Sequence, residues 1–123
     1  MGSSAVTVVN QFYEVSLKQK DAEGIRPFLT DDFRFVGPVD QRSGADEFVE
    51  LNKGFLPFMM GTRMQQQFAA GDQVCSIYEV DVRTPAGETL TLEMADWVLV
   101  QNGRMAEQRI YYDPRPFVAA FGM

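Results

Sequence analysis

The feature that most constrains this chain is a change of period near its middle. Up to about residue 57 most apolar residues recur at helical spacing. Beyond it they alternate every second residue through four runs separated by turn dipeptides. In the first half Val8, Phe12 and Val15 form one stripe and Val9, Tyr13 and Leu17 its neighbour, so the spacing predicts a helix over residues 5–20 with a broad buried face. Asp21 can cap a second, short helix over residues 22–29, limited by Pro27, and Phe33 to Val36 reads as a brief strand. After the Gly37-Pro38 turn, Ser43-Gly44-Ala45-Asp46 resembles a capping box, and Phe48, Leu51 and Phe55 follow at helical spacing until Pro57.

The second half reads as strands over residues 64–70, 74–82, 89–100 and 105–112. Gly71-Asp72, Pro85-Ala86-Gly87 and Asn102-Gly103 punctuate them, which predicts consecutive antiparallel pairing. Pro114 and Pro116 stop the last strand and leave residues 117–121 as a short helix or an apolar tail. Helices first and a strand meander afterwards predict an α+β fold, in which about three helices wrap a curved antiparallel sheet. At 123 residues the chain makes one domain, 1–123. Between helices and sheet lies room for a cone-shaped pocket, and ten Phe with seven Met supply adaptable apolar walls for it.

Histidine is absent. That removes the commonest general base, the Ser-His-Asp and Cys-His nucleophile arrangements and the commonest metal ligand. Cys75 is the only cysteine, so an intrachain disulfide and cysteine-rich zinc sites are excluded. A net charge of −6 disfavours nucleic acid and acidic lipid as partners. No apolar run reaches the roughly 20 residues of a membrane-spanning helix. The start, Met1 to Val6, has neither a basic n-region nor a myristoylation pattern, and with the lone cysteine it points to a cytoplasmic protein. Lys18, Lys20 and Lys53 lie on polar helix faces, the glycines follow no phosphate-loop spacing, and Asp31-Asp32 reads as a turn. No cofactor and no metal are expected.

The order of elements, with Asp31-Asp32-Phe33, the Arg42-Ser43-Gly44 helix entry, Ala95-Asp96-Trp97 and Arg109-Ile110-Tyr111-Tyr112-Asp113-Pro114, resembles the nuclear transport factor 2-like superfamily, in its SnoaL-like and ketosteroid-isomerase-like branch. The resemblance covers nearly the whole chain. It implies a cystatin-like α+β roll around a cone-shaped pocket, with Phe35, Phe55, Met59, Met94, Ile110 and Tyr112 among the wall residues. It also implies roles. Tyr13 falls where the isomerases place an oxyanion-hole tyrosine, and Asp96 where they place a neutral hydrogen-bonding acid. Gly37 stands where the isomerase base would sit, and Ile110 where both the SnoaL-type cyclase aspartate and one epoxide-hydrolase aspartate would fall. Of the hydrolase-like Arg-x-Asp pair, Asp81 matches and Glu79 replaces the arginine.

The residues themselves leave alternatives. Asp96 among Leu92, Met94, Trp97 and Val98 loses hydration and can stay neutral and donate, or it can pair with an arginine or face a solvated edge. Tyr13 can pack as an ordinary core residue or help Asp96 polarise a carbonyl oxygen. Strand alternation turns Glu79 and Asp81 to water, whereas the hydrolase resemblance turns Asp81 into the pocket as a base. Asp113 before Pro114 is a strand terminator. Trp97, Leu99, Arg109 and Tyr111 share the opposite, convex face, which predicts a homodimer through it. Two functions stand side by side. One is a small-molecule enzyme, with Asp96, Tyr13 and Asp81 as catalytic residues, performing acid-assisted isomerisation, cyclisation or elimination on an apolar carbonyl compound. The other is a binding module for an apolar ligand or peptide.

Overall fold

Ser4 opens the first element by accepting a hydrogen bond from the backbone of Thr7, and the helix α1 then runs over Ala5–Tyr13 in a computed structural model that describes residues 4–123. The reading of the amino-terminal stretch as free of a leader falls partly on residues 1–3, outside the described residues. Helix α1 does not continue regularly to residue 20. Over Glu14–Lys18 it loosens into a π-helical turn, in which Gln19 N–H reaches back five residues to the Glu14 carbonyl. The second helix is a 3₁₀ segment, Glu23–Phe28, because Pro27 lacks the donor an α-helix needs. Asp21 caps it as expected, its Oδ1 accepting from Gly24 N–H at 2.9 Å.

Strand β1, Leu29–Val36, starts four residues earlier than its apolar pattern indicates, so Asp31 and Asp32 lie in a strand and not in a turn. A short strand β2, Gln41–Ser43, folds back on β1 and leads into helix α2, Ala45–Phe55. The capping box is half made. Glu47 accepts from the backbone N–H of Ser43 at 3.1 Å, while the cap residue is Gly44 with φ +90°, which has no side chain to reciprocate. A 3₁₀ turn, Leu56–Phe58, then delivers the chain to β3, Met59–Ala70, which begins five residues earlier than expected.

Strands β4, Gln73–Arg83, β5, Thr89–Gln101, and β6, Arg104–Tyr111, complete the meander, and α3, Arg115–Phe121, closes the chain. The sheet has the order β2-β1-β6-β5-β4-β3. Neighbours from β3 to β6 pair antiparallel as predicted, but β1 pairs parallel with β6, so the sheet is mixed. The parallel pair follows from the long excursion through β2, α2 and three further strands between them.

Helices α1 and α2 lie on the concave face of this curved, unclosed sheet. Val8, Val9, Phe12, Ile25, Phe33, Phe48, Val80, Val82 and Val98 make the core there. Phe48 is its hub, with ring centroids 4.7 Å from Phe33 and 5.1 Å from Phe35. No helix among the described residues is long and apolar enough to cross a membrane.

Candidate functional site

The core does not fill the concave face. Between α1, α2, α3 and the sheet lies a cavity of about 180 Å³, into which Phe35, Phe55, Met59, Met94, Ile110 and Tyr112 all project, together with Phe12, Phe48, Leu51 and Phe117. All six expected wall residues are thus brought together. Phe117 arrives from α3, packed on Phe121 at 4.5 Å and on Phe55 at 5.6 Å, so the chain's last segment is a helical wall. The π turn after Tyr13 places Ser16 and Leu17 in the lining.

One end of the cavity is polar. Tyr13 from α1, Tyr78 from β4 and Gln108 from β6 line it, and behind them, fully buried and outside the lining, lies Asp96 of β5. Tyr13 Oη donates to Asp96 Oδ2 at 2.7 Å and Tyr78 Oη to the same oxygen at 3.3 Å. Gln108 Nε2 donates to Oδ1 and Oδ2 at 3.0 and 2.8 Å. Among the described residues no arginine bonds the carboxyl group, and Asp96 has no exposed surface. Burial raises the Asp96 carboxyl to about 6, and the hydrogen bonds from Tyr13, Gln108 and Tyr78 limit the rise because they favour the ionised form. Burial first, and then the Asp96 charge, push both tyrosines well above the ordinary phenol range.

This geometry corrects one expectation. Tyr13 and Asp96 converge, but on each other: with Asp96 ionised, the Tyr13 and Tyr78 protons and the Gln108 amide all serve the carboxylate. The Gln108 carboxamide oxygen is buried and receives no hydrogen bond among the described residues. An orphaned buried acceptor costs about 1–3 kcal/mol.

Asp81 is a second correction. It lies on the opposite face of the sheet, where Arg63 Nη1 and Nη2 bind its two oxygens at 2.7 and 3.0 Å and Thr91 donates at 2.7 Å. Arg63 also holds Glu79 at 3.0 Å. Those bonds, the Arg63 ones foremost, hold the Asp81 carboxyl at about 2. Alternation along β4 decides its side: Tyr78, Val80 and Val82 take the buried phase and Glu79 and Asp81 the other. Asp81 has no access to the cavity.

The carboxylate that does line the cavity is Asp40, in the loop between β1 and β2. Its Oδ1 is held by Arg42 and by the Gln41 backbone N–H, and Oδ2 has no hydrogen-bond partner among the described residues. Asn52 of α2 is a further polar residue of the wall, with Ser16 and Tyr112, and its amide is bonded to the Phe48 carbonyl at 2.8 Å. At Gly37 a Cβ would lie 3.2 Å from the Phe35 ring and 3.3 Å from Ile110, so the position marked for a base is packed against apolar wall residues. Among the described residues no three acidic or cysteine side chains cluster closely enough to hold a metal ion. The site consists of carboxyl, phenol and amide groups.

Solved structures share this architecture. A nuclear transport factor 2-like protein from Burkholderia pseudomallei superposes with a TM-score of 0.84 at 18% identity, covering 98% of this chain and 99% of that one. TerC, co-crystallised with polyporic acid, gives 0.80 at 18% identity, over 98% and 100% of the two chains. A protein of ketosteroid-isomerase-like fold from Catenulispora acidiphila, in complex with trimethylamine, gives 0.76 at 12% identity, over 100% and 95%. No curated protein matches the sequence. The sequence does match the SnoaL-like domain family over residues 9–108, from within α1 to the glutamine at the polar end of the cavity, and the chain belongs to that family.

Proposed function

We propose that this domain is a small-molecule enzyme that isomerises, cyclises or eliminates from an apolar carbonyl compound with the help of an acid. The observation that carries the reading is Asp96, buried and ringed by Tyr13, Tyr78 and Gln108 at the closed end of an apolar cavity. Once Asp96 holds a proton it can donate to the Tyr13 oxygen, and the Tyr13 hydroxyl is then released towards the cavity. There it donates to the carbonyl oxygen of the substrate, stabilising the charge that develops in a dry site. Asp40 Oδ2 takes the proton from the neighbouring carbon as Tyr13 passes its own proton to the carbonyl oxygen and is refilled from Asp96, giving an enol. The oxygen-side transfers reverse as Asp40 returns its proton to another carbon, so no net proton is consumed. The structural neighbours that hold polyporic acid and trimethylamine support a fold that accepts small organic molecules.

Turnover of a model enone tests the reading. The rate rises as pH falls through about 6, where Asp96 takes up its proton. Tyr13→Phe lowers kcat by about 10²-fold, the usual loss of one such donor. Asp40→Asn lowers it comparably. Wild-type rates in both variants would overturn the assignment.

A binding module is the second reading, favoured by the hydrocarbon surroundings of Gly37 and Ile110, where the family resemblance places proton-transferring aspartates. Recovery of an intact ligand from purified protein by mass spectrometry, with no turnover over a panel of enones and hydroxy ketones, selects it. We also propose that the domain pairs through its convex face. Trp97, Arg109 and Tyr111 lie there in register with Cys75 and Ala95, beside Phe68.

A further inference from the structure

We propose that the ligand of this cavity carries a hydroxyl group, phenolic or enolic, which donates a hydrogen bond to the side-chain oxygen of Gln108. The inference rests on the reading of the cavity as a small-molecule site. Gln108 follows the alternation of β6 and shares the concave face with Ile110 and Tyr112, both in the cavity wall. Its Nε2 faces Asp96, which is not itself part of the wall, so the carboxamide stands between carboxylate and cavity. The other branch of that amide is Oε1. It is buried, belongs to a residue only 5% exposed, and has no donor among the described residues.

An amide oxygen can only accept, so the missing partner must bring a proton. A carbonyl or an ether does not. An ammonium group would lose its hydration in a cavity this apolar, whereas a neutral hydroxyl loses little once the bond forms. A stationary water would need two to four polar partners, and the wall around Gln108 is largely aromatic and aliphatic. Size narrows the class further. A cavity of about 180 Å³ compares with the roughly 150 Å³ void that accommodates benzene, so one ring with a short substituent is the natural occupant. In terms of the proposed chemistry, the keto form of a substrate has nothing to offer Gln108 and the enol form does. Gln108 therefore favours the enol.

The test compares 4-propylphenol with 4-propylanisole, nearly the same shape without the donor, by titration calorimetry at pH 8, where Asp96 is ionised. The phenol should bind the wild type about five- to tenfold more tightly, and Gln108→Leu should bring the ratio near one while leaving the anisole affinity within about twofold. Should the variant fold poorly, the wild type supplies a second reading: the Gln108 side-chain ¹³C resonance moves with the phenol and stays still with the anisole. An unchanged preference in Gln108→Leu, or a silent resonance with both probes, overturns the proposal. Equal binding of both probes to the wild type overturns it and leaves the cavity reading standing. Failure of both to bind removes the two together.

Discussion

At the scale of single residues, Asp96 ties stability to pH. Its carboxyl titrates at 3.8 in the unfolded chain and at about 6 in the folded one. Below 3.8 both states hold the proton. As pH rises from there the unfolded state ionises first, so the folded state is progressively penalised, by about 3 kcal/mol once pH exceeds 6. Asp81 and Asp113 act in the opposite sense: held at about 2 by Arg63 and Arg115, they contribute stability above 3.8 and lose it as pH falls towards 2. Asp96→Asn should therefore gain on the wild type in urea denaturation as pH is raised from 4 to 7. A difference between the two proteins that stays constant over that range would refute the assignment. Asp96 and Tyr13 were legible in the sequence because a polar group interrupts an apolar phase at each. Gln108 and Tyr78 carry the same signal, being in phase with Ile110 and with Val80, yet a glutamine and a strand tyrosine read as unremarkable until their shared acceptor is known. Asp40 lies in a loop without period, where nothing local announces its access to the cavity.

Among the elements, α2 depends most on one backbone conformation. Gly44 turns the chain out of β2 at φ +90° and ψ 153°, a region side chains rarely adopt, and its N–H donates to the Phe33 carbonyl at 2.6 Å. Gly44→Ala should cost about 1–3 kcal/mol in urea denaturation and loosen the entry of Phe48, Leu51 and Phe55 into the cavity. An unchanged midpoint would show that the turn tolerates a side chain. The element types were largely readable from period, but their ends were not. β1 reaches back to Leu29, paired with Met105, and β3 to Met59 and Gly61, paired with Val82 and Asp81, because pairing with a neighbour extends a strand beyond its own apolar pattern. Asp31, Asp32 and Met60 fall in the irregular register between those pairs. The π turn after Tyr13 is likewise a tertiary outcome. It repositions Ser16 and Leu17 against the cavity without any break in the apolar stripe.

For the whole molecule, the meander could be derived from turn dipeptides, whereas the parallel pairing of β1 with β6 joins segments about seventy positions apart that no local signal connects. That pairing leaves one broad convex surface. Tyr111 is 58% and Phe68 55% exposed on it, and Arg109 lies 5.8 Å from the ring of Trp97. If two copies cover this surface, Trp97→Glu should convert a dimer to a monomer in light scattering and leave probe binding in the opposite-face cavity intact. A wild type monomeric at micromolar concentration would refute the pairing. The ladder itself supplies a way to watch. Cys75 and Trp97, the chain's one thiol and one indole, are directly opposed across β4 and β5, about 5 Å apart at the backbone. A thiol-directed quencher on Cys75 would extinguish the only tryptophan emission in the molecule. Burial and the Asp96 charge raise the thiol's pKa, so the labelling reaction belongs at alkaline pH. The rate at which fluorescence disappears then clocks solvent access to that strip of sheet, in the native sequence and without a foreign dye as donor.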